Sequence, residues 1–440
     1  MEKYHAGLAR VDITPNKAMT MDGFYAREGL SRGVHDALAL TALALTSEGE
    51  TAVFVAADLL GFPPGVAADL KRDLARATGL EEERFFLAAS HTHSGPALGN
   101  LVFLDADPEY LAWLGRQAIT AVEEALSRRQ KVDVLVGSAK TTAAVNRRLV
   151  DGETGYVLME DNPAGPIDEE VFGLRLVDQA GKTIGGLVNV GCHPTAVLHD
   201  GQLFSRDYPG YAVDAIEAAY PGSTFLFLSG AHANVRPQGN ADRPGQLLAQ
   251  AAGQSIAADF AEINWEEVTS SPSVKISTAE LLVELQELPE MARLVEWEQQ
   301  CQRAIARDPA WLDNLWNKCT LAWLEMAWDL RRNDQHPAPV GVELQVVTLS
   351  GLISLVGLPF EVFAQTATEL KESFAQMGRV VVCGYFGGLV GYLPPEEDQV
   401  QGGYEATEAF KVYGYVSPFA FGSEALIRQK AEELVRMSRS

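Results

Sequence analysis

Two histidines one residue apart, His91 and His93, stand in Ala88-Ala89-Ser90-His91-Thr92-His93-Ser94-Gly95-Pro96, within a chain of 440 residues that has only 8 histidines. An apolar run of β character, Arg84 to Ala89, leads into them, and a Gly-Pro breaker follows. Imidazoles presented where a strand stops can bind a metal ion or move protons. On an extended backbone both would face one side; where the chain turns they can take different jobs. The plain alternative is a strand-end pair that bonds only to backbone. His193 repeats the placement in Val188-Asn189-Val190-Gly191-Cys192-His193-Pro194-Thr195, with a proline behind it that disfavours helix. Two oxygen donors are further candidates. Glu361 follows a strand-like run to Leu358 and the turn Pro359-Phe360, and the spacing predicts a helix over 361–377 whose dipole would stabilise the carboxylate. Tyr392 lies in a loop rich in Gly and Pro, Gly387 to Pro395, where most tyrosines only pack.

The elements that must position these residues alternate. Buried strands are expected at 52–57, 85–89, 132–138 and 223–228, and a hairpin at 172–177 and 184–190. Helices are expected at 66–78, capped by Gly79, at 108–130, at 208–220 and from Pro418 to the end. This rhythm predicts an α/β (α+β) fold, a mixed β-sheet core layered with helices. The stretch 289–333 stands out, holding five of the seven Trp (Trp297, Trp311, Trp316, Trp323, Trp328). It reads as two helices broken at Asp308-Pro309. A lid, a dimer contact or an inserted hairpin are open roles, with a packing appendage the preferred one. Strand pairs return over 340–358. The expected organisation is a single catalytic domain over 1–440, with 289–333 as a helical insertion.

Composition excludes some partners. With 35 basic and 59 acidic residues the net charge is −24, which argues against nucleic acid and anionic membrane surfaces. The apolar runs are strand-sized, so no membrane span is expected. Four scattered cysteines without a CxxC pair, and an N-terminus without an apolar signal core, point to a cytoplasmic protein with reduced thiols.

Taken in order, the motifs resemble the N-terminal catalytic domain of neutral/alkaline non-lysosomal ceramidases. The likeness begins at Gly7-Leu8-Ala9-Arg10-Val11-Asp12-Ile13-Thr14-Pro15 and runs through Gly33-Val34-His35-Asp36, the HTHSGP block, Asn146-Arg147-Arg148 and Cys192-His193-Pro194-Thr195. It continues through Leu358-Pro359-Phe360-Glu361, Val390-Gly391-Tyr392 and Gly403-Tyr404-Glu405. The resemblance implies a Zn2+ hydrolase of linear amides, with metal ligands at His91, His193, Glu361 and Tyr392. It implies an acid-base or oxyanion role for His93, substrate binding by Arg147, and polarisation of the scissile carbonyl by Tyr404. Mixed N/O ligands alone would also admit Mn or Fe. The chain departs from the family's pattern at Phe360, which stands where the family has Gly. It departs again at Gly230-Ala231-His232-Ala233-Asn234-Val235-Arg236-Pro237, where an Asp and a Ser of the family are missing. With no C-terminal β-sandwich domain and no secretion signal, the expected substrate is a small-molecule or lipid-like N-acyl compound other than ceramide. The alternatives are a metal-dependent esterase or deacetylase, and a non-enzymatic metal-binding protein.

Overall fold

The computed structural model describes residues 3–239 and 245–440. Two sheets face each other, and helices cover both outer faces. The large sheet has the strand order Thr224–Ser229, Thr183–Val190, Glu170–Asp178, Gln130–Lys140, Tyr4–Asp12, Ala39–Ser47, Glu50–Ala57, Phe85–Ala89. Its interior pairs are antiparallel, and each edge ends in a parallel pair. The smaller sheet runs Val274–Val283, Val340–Leu349, Ile353–Gly357, Arg379–Cys383, the last two being parallel.

Strand alternation decides which side chains meet. Leu43, Phe54, Phe86, Val134, Leu174 and Leu226 of the large sheet pack against Val347, Leu355 and Val381 of the small one. The intervening residues, such as Val53, Val55, Phe85 and Leu87, turn outward under the helices Pro64–Thr78 and Pro108–Ser127. Helices Asp207–Ala219 and Gln246–Ala261 cover the rest of that face, and Ala364–Ser373 and Ser423–Arg439 cover the small sheet. The result is an α/β fold with a mixed β core layered by helices, as expected. Local signals worked as the chemistry predicts. Asp107 caps Pro108–Ser127 by accepting from Glu109 N and Tyr110 N, and Gly79 ends Pro64–Thr78 in a left-handed turn at φ 75°.

Two features set up the site. First, the large sheet curls until its edges meet. Ser229 Oγ, at the end of one edge strand, donates to Ser90 O just beyond the other, at 2.9 Å. Second, the carboxyl ends of the parallel strands converge, the place where α/β sheets gather ligand-binding residues. The two helices Met291–Arg307 and Leu315–Arg332 fill the interval between Val274–Val283 and Val340–Leu349, strands that are direct antiparallel neighbours. The expected helix over 361–377 is corrected. Glu361–Val362 is a short strand, and helix starts only at Ala364.

Candidate metal centre

His91 follows strand Phe85–Ala89 by two residues. Its backbone takes φ 64°, so the chain turns at once and His93 swings back beside it. His193 follows Thr183–Val190 by three residues, where Gly191 and Gly230 let two strand ends close on each other; a Cβ at Gly191 would lie 2.7 Å from Ala231 O. Closure of the sheet edges therefore brings His91 and His193 together. The Nε2 atoms of His91, His93 and His193 form a triangle with sides of 3.1, 3.3 and 3.0 Å. All three side chains are buried.

The protons are assigned from the surrounding bonds. His91 Nδ1 lies 2.6 Å from Leu60 O, and His193 Nδ1 lies 3.2 Å from His232 O. Donation there leaves both Nε2 atoms as bare lone pairs aimed at each other, which a cation between them relieves. His91 Nε2 and His193 Nε2 are 3.1 Å apart, close enough for one ion to stand about 2.0–2.1 Å, a Zn–N bond length, from both. The three histidines could hold a metal ion. Burial pushes the His93 and His193 pKa values well below the ordinary value; the neighbouring His91 adds to this at His93, and Arg147 and His91 add to it at His193. Both shifts favour the neutral ring, the form that offers a nitrogen lone pair to a cation.

Glu361 Oε2 lies 3.4 Å from His91 Nε2 and 3.9 Å from His193 Nε2. Its position comes from a parallel bridge in which Glu361 is opposite Tyr392. That pairing sets the two residues side by side in the backbone. Phe360 is fully buried in the core of the small sheet, and Glu361 next to it reaches the site. Tyr413 donates to Glu361 Oε1, and the Tyr385 hydroxyl lies 2.8 Å from His232 Nδ1 and 3.5 Å from Glu361 Oε2.

Arg147 is buried. Its Nη2 donates to Tyr392 Oη at 3.1 Å and its Nε to Glu405 Oε1 at 3.1 Å. Glu405 also receives Arg148 Nη1 at 2.7 Å, and Arg148 Nε reaches Asp398 at 3.1 Å. Burial raises the Tyr392 pKa well above the ordinary value and Glu361 raises it further, while Arg147 opposes both. Tyr404 opens a short helix after Gly402 and Gly403, with its ring 5.7 Å from that of Tyr392; burial, then Glu361, raise its pKa. All seven sequence-predicted residues thus fall in one neighbourhood. His91, His93, His193 and Glu361 touch directly, Arg147 joins through Tyr392, and Tyr404 stands one ring farther out. A cavity of about 750 Å3 bordered by Lys140, Asn146, Asp168 and Lys371 is lined by none of them, and Lys371 is paired there with Asp168 and Glu170 at 2.6 Å.

Four participants escaped the sequence reading. His232 stands three residues beyond strand Thr224–Ser229, the same signal that marked His193. Tyr385 stands two residues beyond strand Arg379–Cys383. Tyr413 and Leu60 O carry no local signal.

The family model for the N-terminal part of neutral/alkaline non-lysosomal ceramidases matches residues 4–278. The chain belongs to this family. The match contains His91, His93, Arg147 and His193; Glu361, Tyr392 and Tyr404 lie beyond it. The chain is 29% identical over 223 residues to a neutral ceramidase of Pseudomonas aeruginosa, a stretch covering 48% of this chain and 33% of that relative. Aligned in this way, the chain spans about a third of the relative's length. Its fold matches the crystal structure of neutral ceramidase from Pseudomonas aeruginosa at a TM-score of 0.73 and 18% identity, over 100% of this chain and 75% of the other. It also matches a ceramidase complexed with C2 at a TM-score of 0.75 and 19% identity, over 99% and 75%. Among the described residues no helix is long and apolar enough to cross a membrane.

Proposed function

We propose that this chain is a zinc-dependent hydrolase of linear N-acyl amides, with His91, His193, Glu361 and Tyr392 holding the zinc. The observation that carries the reading is the buried pair of bare nitrogens, His91 Nε2 and His193 Nε2, with a carboxylate and the His93 ring beside them. Bound zinc supplies Lewis acidity and a water of lowered pKa.

The protein's own groups divide the remaining work. Leu60 O and the His232 carbonyl fix the tautomers of His91 and His193, as partners of metal-bound histidines do. His93 differs, because at its Nδ1, buried against Gly23, no hydrogen bond of good geometry fixes the tautomer among the described residues. Free of a fixed tautomer, His93 takes the proton from the attacking water and returns it to the leaving amine. Tyr404, its pKa raised, keeps its proton and donates a hydrogen bond to the scissile carbonyl oxygen. Loss of one such donor costs about 3 kcal/mol of barrier, roughly a hundredfold in rate. Arg147 places positive charge beside Tyr392, which favours the phenolate as a ligand, and the same charge attracts the polarised substrate. We place these residues in a single catalytic domain with 289–333 inserted.

The test combines metal analysis with a panel of acyl amides and acyl esters of matched acyl group. One zinc per chain, its loss in His91→Ala, and faster amide than ester turnover support the reading. Unchanged zinc in His91→Ala ends it. Faster ester turnover moves the site to an esterase, and zinc without turnover of any substrate moves it to a binding protein.

A further inference from the structure

The geometry points to Trp316, on the helical insertion, as a specificity-determining residue: it forms the apolar wall against which the substrate's chain lies. This rests on the hydrolase reading above.

The interval 284–339 joins two strands that pair directly, Val283 opposite Val340. A hairpin there needs only two to five residues, so the helices are there for something other than connection. Nor do they pack only on themselves. Trp323, 1% exposed, donates from Nε1 to Val416 O at 2.8 Å, and Lys411 Nζ stands 4.9 Å above its ring. This clamps helix Leu315–Arg332 onto the segment that carries Tyr413, the residue bonded to Glu361. The first turn of the same helix reaches the site's rim. Leu315, Trp316 and Cys319 join Leu60, Ala97, Leu101 and Val412 in one apolar cluster, and Leu60 is the residue whose carbonyl orients His91.

Trp316 is half-buried and set between two tyrosines. Its ring lies 6.0 Å from that of Tyr404 and 6.4 Å from that of Tyr25. Tyr404 in turn lies 5.7 Å from Tyr392. The rings thus form a continuous contact row, Tyr392 to Tyr404 to Trp316 to Tyr25. Phe24, 4.7 Å from the His93 ring, adds another apolar face beside the triad. Trp316 is rigidly presented, because Asn314 caps the helix by accepting from Trp316 N at 2.9 Å. An amide whose carbonyl meets the Tyr404 hydroxyl has its flanking group against Trp316. A row of aromatic rings recognises an unbranched apolar chain by burial and is indifferent to polar detail. The wall serves a chain on the acyl half or on the amine half alike.

The experiment uses zinc-loaded full-length protein, as wild type, Trp316→Ala and Trp316→Phe, with two substrate series. One is N-acylglycines from acetyl to octanoyl, and the other is N-alkylacetamides from methyl to octyl. In at least one series wild-type kcat/KM rises with chain length. Trp316→Ala lowers it about tenfold for the eight-carbon member, through KM, and leaves the shortest member within twofold. Trp316→Phe recovers most of the loss. The series that responds tells which half carries the chain. Equal loss at every length, or no change in either series, overturns the assignment. If wild type hydrolyses neither series the hydrolase reading fails. Calorimetric binding of the same intact amides then decides the wall: weaker octyl binding by Trp316→Ala supports it, and equal binding refutes it.

Discussion

Replacing Gly23 with alanine tests the division of labour between the histidines. Gly23 sits at φ 94°, and a Cβ built on it falls 2.5 Å from His93 Nδ1, 2.6 Å from Cγ and 2.7 Å from the ring's own Cβ. Ordinary contact begins near 3.4 Å, so the imidazole must retreat by about 0.9 Å. The left-handed backbone adds about 1–2 kcal/mol of strain for any L side chain. A metal–ligand bond tolerates about 0.2 Å, whereas a misplaced acid-base group keeps the metal and loses rate, about a hundredfold for a shift near 1 Å. Because His93 is assigned to proton transfer, Gly23→Ala should keep one zinc and its chelator-competition affinity while kcat/KM on an N-acyl amide falls about a hundredfold. Metal content by mass spectrometry and steady-state kinetics on one preparation read both. Loss of zinc would make His93 a ligand and refute the division; kinetics within twofold of wild type would refute the acid-base role.

Other outcomes follow from the same geometry. Tyr413→Phe removes the hydroxyl that donates to Glu361 and should weaken zinc binding about 10–100-fold in a chelator competition; unchanged affinity would show that Glu361 is held without it. Glu405→Gln leaves two buried guanidiniums, Arg147 and Arg148, short of a countercharge, and should cost about 3–5 kcal/mol in urea unfolding. Stability within about 1 kcal/mol of wild type would mean the network is solvated. Burial raises the Asp207 carboxyl to about 7 from 3.8, so the folded state binds a proton that the unfolded chain has lost. Its contribution is fully present below pH about 4 and disappears as pH rises through about 7. Between pH 5 and pH 8 wild type should lose roughly 3 kcal/mol from this group, and Asp207→Asn should remove that slope. An identical slope in both proteins would contradict the assignment.

Much of this site was legible because its parts carry local signals. His91 and His193 each follow an apolar strand and precede a proline, and the structure shows why that matters: both lie at carboxyl ends of parallel strands. The helical pair after Pro289 was legible through its tryptophans and the Asp308-Pro309 break, where Asp308 caps the short turn Pro309–Asp313. The misreading at Glu361 has a physical cause. Its backbone pairs with Tyr392, a non-local bridge invisible to a local periodicity, and this bridge outcompetes the first helical turn. The closing of the sheet through Ser229 and Ser90, and the approach of Tyr413 to Glu361, join residues more than fifty positions apart. No pattern within a window of sequence encodes them.

In the proposed site two imidazoles, a carboxylate and a phenol from four separate stretches of chain share one cation. Anomalous diffraction at the zinc edge, on crystals of the zinc-loaded protein, measures this directly. One peak is expected about 2.0–2.1 Å from His91 Nε2 and His193 Nε2, with Glu361 and Tyr392 oxygens at bonding distance. A peak bound elsewhere, or none beside His91 and His193, would contradict it.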